Sequence, residues 1–126
     1  MSRVLDASAL LAFLNHESGA EIVRSLLDEA TVSAVNWAEV LQKALGRSVN
    51  VAGMAADFAD MGTVIVPFTE EQADVAATLW AKTRSQGLSL ADRACLALAA
   101  VKGVPVWTAD RAWGQLSLGI DIRIIR

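Results

Sequence analysis

The sequence predicts an α/β domain whose mainly parallel sheet is covered by helices on both faces. Short apolar, β-branched runs alternate with stretches of helical periodicity along all 126 residues, the pattern of parallel strands joined by helical crossovers. No Ser/Gly/Pro-rich linker, charge block or repeat interrupts that alternation, and the two prolines, Pro67 and Pro105, both lie inside strand-like runs. The chain therefore reads as one domain over 1–126. A domain of this length buries roughly two-thirds of its unfolded surface, so its core needs neither a disulfide nor a structural metal.

Each element has its own signal. Val4-Leu5 reads as the first strand, residues 7–15 as a helix, and 19–30 as a second helix with Ile22, Val23, Leu26 and Leu27 at helical spacing. Thr31-Val32-Ser33 is a brief strand feeding a helix over 35–45, which Gly46 stops. A further helix fills 51–61. Thr63-Val64-Ile65-Val66 is the clearest strand, and Thr69-Glu70-Glu71-Gln72 has the form of a capping box opening a long amphipathic helix as far as Gln86, closed by Gly87. A helix over 89–101, a buried strand over 104–107, a helix over 109–116 and a last strand over 122–125 complete the order. In open sheets of this kind ligands bind at the carboxyl ends of the strands, near a topological switch point.

Composition sets limits. With 11 Lys+Arg against 14 Asp+Glu the net charge is −3, which argues superficially against a nucleic-acid partner, since phosphate binders usually carry basic excess. The 54% hydrophobic content exceeds the roughly 45–50% of ordinary chains, which predicts an interface. Cys95 is the single cysteine, so no internal disulfide forms. The early Asp6 leaves no room for a signal peptide's apolar core, and both features point to the cytoplasm. The longest apolar stretch, from Ala94 to Val101, falls far short of the roughly 18 residues of a membrane span.

Four acids stand out by position: Asp6 after the first strand, Glu39 within the third helix, Asp92 in the first turn of a helix and Asp110 after the fourth strand. Each has a structural explanation. Asp6 can N-cap a helix, Ser89 and Asp92 fit a capping box, Thr108 and Asp110 suit a cap with a dipole-favoured acid, and Glu39/Lys43 is an i,i+4 pair. Together, however, strand-end positions of a parallel sheet face one edge. Carboxylates crowded there are unfavourable unless a pKa rises or a hard divalent cation neutralises them. Asp92 and Arg93 are also the only charges between Leu88 and Val101, an apolar setting in which a carboxylate needs a partner. With one His and one Cys, oxygen ligands favour Mg²⁺ or Mn²⁺ over zinc. Such a site suggests water as the nucleophile on a phosphodiester.

The strings Val4-Leu5-Asp6-Ala7-Ser8-Ala9-Leu10-Leu11, Ser33-Ala34-Val35-Asn36-Trp37-Ala38-Glu39-Val40, Leu88-Ser89-Leu90-Ala91-Asp92-Arg93-Ala94-Cys95-Leu96-Ala97 and Val106-Trp107-Thr108-Ala109-Asp110-Arg111-Ala112-Trp113 resemble the four signature blocks of PIN-domain ribonucleases, specifically the VapC-like toxins of bacterial toxin–antitoxin pairs. Four blocks in order, spanning nearly the whole chain, make the resemblance specific. It implies a three-layer α/β/α sandwich with a mainly parallel sheet of about five strands, and a Mg²⁺- or Mn²⁺-dependent endoribonuclease. The family's acidic quartet falls on Asp6, Glu39, Asp92 and Asp110, with Ser8, Asn36 and Thr108 at supporting polar positions. It also implies a homodimer held inactive by a cognate VapB-like antitoxin, whose tail wraps an apolar groove.

Of the remaining residues, His16 reads as a helix-end surface residue and Cys95 as core. Trp80 and Trp107 also read as core, and Trp113 as packing beside the site rather than stacking on a base. Arg93 and Arg111 each follow a candidate ligand, and either contact RNA phosphate or pair with acids. Rival chemistries lack their residues. A receiver-like phosphoacceptor needs an Asp where Pro67-Phe68-Thr69 stands, an aspartyl phosphatase needs a carboxylate where Ser8 stands, and no glycine-rich phosphate loop is present. The alternative is a non-catalytic dimeric binding or regulatory module whose acids serve only as caps. Setting aside four of the 14 acids turns −3 into +1, so the acidity is local to the candidate site.

Overall fold

The computed structural model describes residues 2–126. Its five strands are β1 (Arg3–Leu5), β2 (Ala30–Ser33), β3 (Thr63–Val66), β4 (Val106–Thr108) and β5 (Ile122–Ile124), and its six α-helices are α1 (Ala7–Leu14), α2 (Ala20–Leu26), α3 (Ala34–Gly46), α4 (Met54–Asp60), α5 (Glu70–Thr83) and α6 (Leu90–Lys102). The strands form one sheet in the order β3-β2-β1-β4-β5, and every neighbouring pair is parallel. The chain winds outward from β1 to β3, then crosses back to start β4 on the other side of β1. The switch point therefore lies between β1 and β4.

Side-chain alternation on the central strand divides the core in two. Leu5 joins a cluster built with Leu10, Val23, Val32, Val40 and Phe58, whereas its neighbour Val4 joins Leu79, Leu96, Leu98, Val106 and Trp113. The first cluster is the packing of α1 to α4 on one face and the second that of α5 and α6 on the other, which is the expected three-layer sandwich. Burial on both faces explains why the inner strands read as continuous apolar runs rather than alternating ones.

Several boundaries differ from expectation, each for a tertiary reason. The second helix ends at Leu26 rather than at residue 30, because Ala30 is required in β2 opposite Arg3 and Glu29 turns the chain with a positive φ of 61°. The third helix runs through Gly46 and stops at Arg47. The fourth is shorter, starting at Met54. At the start of α5 only half of the capping box forms: Thr69 accepts from the Gln72 N–H, but Gln72 turns inward and its Oε1 has no partner. That helix ends at Thr83 and continues as a 3₁₀ turn, Arg84–Gln86. The predicted helix over 109–116 is a 3₁₀ turn, Arg111–Gln115, closed by i→i+3 bonds from the N–H groups of Trp113 and Leu116. Trp80 is 48% exposed and not core, its ring carrying the Arg84 guanidinium. Trp107 is half-buried beneath Arg123.

One glycine fixes how the chain closes beside β1. Gly19 has a φ of +94°, and a Cβ there would lie 2.8 Å from the Ile125 side chain. Only glycine allows both the left-handed turn and that approach, so Ile125 seats in the α1/α2 core and brings Arg126 to the rim beyond β1.

Candidate active site

Asp6 leaves the end of β1 as the N-cap of α1, accepting from the Ala9 N–H at 2.9 Å. The Ser8 hydroxyl donates to its Oδ1 at 2.8 Å and the Thr108 hydroxyl to its Oδ2 at 2.7 Å. Those hydroxyls are themselves anchored: Ser8 Oγ accepts from the Ala109 N–H at 2.9 Å and Thr108 Oγ1 from the Asp110 N–H at 3.0 Å. The ends of β1 and β4 are thus knitted together at the switch point. Burial pushes the Asp6 carboxyl up to about 6; the bonds from Thr108, Ala9 and Ser8 oppose this, and the negative Asp92 adds to it.

Asp92 and Ser89 form the predicted capping box at the start of α6, with the Asp92 Oδ2 accepting from the Ser89 N–H at 3.0 Å and Ser89 Oγ accepting from the Asp92 N–H at 3.1 Å. Asp110, rather than Thr108, caps the 3₁₀ turn, its Oδ1 accepting from the Ala112 N–H at 2.9 Å. Glu39 projects from the middle of α3 and has no hydrogen bond or ion pair among the described residues; the i,i+4 pair with Lys43 does not close. The caps are therefore real; Asp6 has both oxygens engaged, but the other three acids do not. Asp92 keeps Oδ1 unbonded, Asp110 keeps Oδ2, and Glu39 keeps both oxygens.

All four acids line one cavity of about 580 Å³, together with Ser8 and Asn36. Asn36, 1% exposed, donates from Nδ2 to the Ala91 carbonyl at 3.0 Å, tying the first turn of α3 to the residue before Asp92. A carbonyl only accepts, so this bond fixes the orientation of the amide. The Asn36 Oδ1 is left buried without a partner, at a cost of about 1–3 kcal/mol unless something donates to it. Beneath the acids, Cys95 is fully buried; burial and the fields of Asp6, Asp92 and Glu39 push its thiol well up, so it stays neutral and inert. Among the described residues no three His, Cys, Asp or Glu side chains close into a compact metal-holding group.

Arg93 and Arg111 do not line the cavity, and neither pairs with an acid. The Arg93 guanidinium reaches the Ala76 carbonyl on α5 at 3.0 Å, and Arg111 donates to the Arg126 carbonyl at 3.0 Å. Consecutive helical residues point about 100° apart, so following an acid in sequence directs a side chain elsewhere. The cations that do line the cavity are Lys43, Arg47 and Arg126. The signal for the first two was their spacing of four and eight residues from Glu39. His16 is exposed just past α1 and Trp113 is buried, both as expected.

The PIN domain family model matches residues 3–117, while no curated protein sequence matches. Among solved structures, the chain is similar to the DNA-bound VapBC from Salmonella typhimurium, with a TM-score of 0.75 at 15% identity over 100% of this chain and 99% of that one. It is similar to a toxin–antitoxin complex from Klebsiella pneumoniae, with a TM-score of 0.73 at 17% identity over 91% of this chain and 92% of the other. It also matches VapC20 of Mycobacterium tuberculosis, a sarcin–ricin-loop-cleaving toxin, with a TM-score of 0.70 at 14% identity over 95% and 99% of the two chains. With the family match covering nearly the whole length and a fold shared with these toxin–antitoxin structures, the chain belongs to the PIN domain family.

Proposed function

We propose that this PIN domain protein is the endoribonuclease toxin of a toxin–antitoxin pair, hydrolysing RNA phosphodiesters with water and a divalent ion, Mg²⁺ or Mn²⁺. The observation that carries the reading is that carboxylates from four separate elements share one cavity at the carboxyl end of the sheet while three of them retain unbonded oxygens. Asp6, Glu39, Asp92 and Asp110 would hold the ion. The donor set suits it: oxygen only, with the orphaned Asn36 Oδ1 able to accept from a coordinated water. Spaced rather than clustered acids suit an ion that keeps several waters and takes one or two carboxylates plus substrate phosphate. When bound, such an ion activates water at neutral pH and neutralises charge developing on the phosphate.

The chain's own groups bind and orient. Ser8 is read as a positioning residue, its hydroxyl donating to Asp6 and its oxygen accepting from the Ala109 N–H. Ser8 and Thr108 hold the Asp6 carboxylate in one orientation, and Asn36 fixes the start of α3 against that of α6, which sets Glu39 relative to Asp92. The apolar half of the cavity, Leu11, Leu14, Val49 and Met54, suits an antitoxin segment that would cover the acids. The similar structures include toxin–antitoxin complexes, which supports that partner, and the surplus of exposed apolar side chains supports a homodimer. No described helix is long and apolar enough to cross a membrane; action on cytoplasmic RNA is part of the proposal. Purified chain freed of antitoxin is expected to cut RNA with Mg²⁺ or Mn²⁺ and to stop with EDTA. The Asp92→Asn variant is expected to lose at least about a hundredfold in rate, and full activity in that variant would remove Asp92 from the site.

A further inference from the structure

Glu39, Lys43 and Arg47 succeed one another at intervals of four residues along α3 and its C-cap, and all three line the acidic cavity. Four residues of helix rise about 6 Å and return to nearly the same face, so the two cations stand one and two steps outward from the acids. Neither the Lys43 nor the Arg47 side chain has a hydrogen bond or ion pair among the described residues. Arg126 on the opposite rim is different, because Glu17 Oε1 and the Ser18 carbonyl both engage its Nη1 at 3.3 Å. Free positive charge is thus confined to the α3 wall, while the α1 side presents Leu11 and Leu14, with Met54 from α4. A cleft with cations along one wall and apolar side chains on another matches a strand whose phosphates and bases face opposite ways. The lining includes no aromatic ring, so bases would be met by apolar packing, without the stacking platform that many single-strand binders use.

We propose that the Lys43–Arg47 face of α3 is the track that grips the phosphates of single-stranded RNA flanking the bond brought to the acids. The inference rests on the nuclease reading above for which bond is cut, but binding along the track does not depend on cleavage. Its test uses the Asp92→Asn chain, to prevent cutting, and a short fluorescein-labelled oligouridylate read by anisotropy across a series of KCl concentrations. Each lost phosphate contact lowers the slope of log Kd against log[KCl] by about 0.7. Lys43→Ala with Arg47→Ala is therefore expected to lower it by about 1.4 and to weaken binding roughly tenfold at fixed salt. Lys102→Ala, at the far end of α6 from Asp92, removes a charge without touching the track and is expected to move neither. Lys43→Arg restores the contact, and the melting temperature of each variant reports whether it has folded. Unchanged slope and Kd in the double variant overturn the proposal, as does an equal loss from Lys102→Ala. Equal competition by polyglutamate also overturns it, because the wall would then be a general anion surface suited to an acidic peptide. A wild-type chain that never cuts RNA, yet loses slope as predicted on Lys43 and Arg47 substitution, would refute the nuclease reading and leave the track standing.

Discussion

Asp6 is 5% exposed and accepts bonds from Ala9, Ser8 and Thr108, yet the loss of water outweighs them and its pKa stands at about 6 against an ordinary 3.8. Below pH 3.8 both states hold the proton and the group is neutral in effect. Between 3.8 and about 6 the unfolded chain ionises while the folded chain keeps its proton, so stability falls as pH rises. Above that range the full cost is in place, about 3 kcal/mol for a shift of this size. Asp6→Asn keeps an oxygen for the Ala9 cap and removes the buried charge. In EDTA at pH 7.5 it is expected to be more stable than wild type by about 2 kcal/mol, with the difference closing near pH 4. Urea unfolding at both pH values checks this, and an Asn variant no more stable at pH 7.5 contradicts it. Greater stability with loss of function is the signature expected of an active-site acid.

At the scale of elements, the strand ends and helix starts hold the acids by ordinary capping, which is why they were legible in the sequence. Asp6, Ser89 with Asp92, and the turn after Thr108 leave local signals that survive without knowledge of the fold. What could not be read locally was direction. Arg93 and Arg111 adjoin acids but serve α5 and the Arg126 carbonyl, and only the packing of α3 across the sheet end brings Lys43 and Arg47 to the cavity. The 3₁₀ turn after β4 was likewise hidden, because its Asp110 cap is the same local signal that opens an α-helix. Gly19 is a tight joint among these elements. Gly19→Ala meets both the left-handed penalty and the Ile125 side chain, and is expected to cost about 2 kcal/mol or more. A melting temperature within a degree of wild type would show that Ile125 is not seated there.

Across the whole molecule, four of the acids behind the net charge of −3 share one cavity with Lys43, Arg47 and Arg126, so the total does not describe how charge is laid out where an RNA would enter. The high apolar content is only partly used by the two cores, since Leu45, Val64, Leu90 and Trp80 are 60%, 56%, 56% and 48% exposed. Burial of such side chains between two copies is expected to give a dimer in sedimentation equilibrium, and a monomer at micromolar concentration would contradict it. The acids that cap these helices are also the ones proposed to hold a divalent ion. Calorimetric titration of Mn²⁺ into the antitoxin-free protein tests this most directly. Saturable binding that is lost in Asp92→Asn, with circular dichroism showing the fold intact, is the expected result; absence of saturable heat in the wild type, or identical binding in the variant, would rule the metal site out.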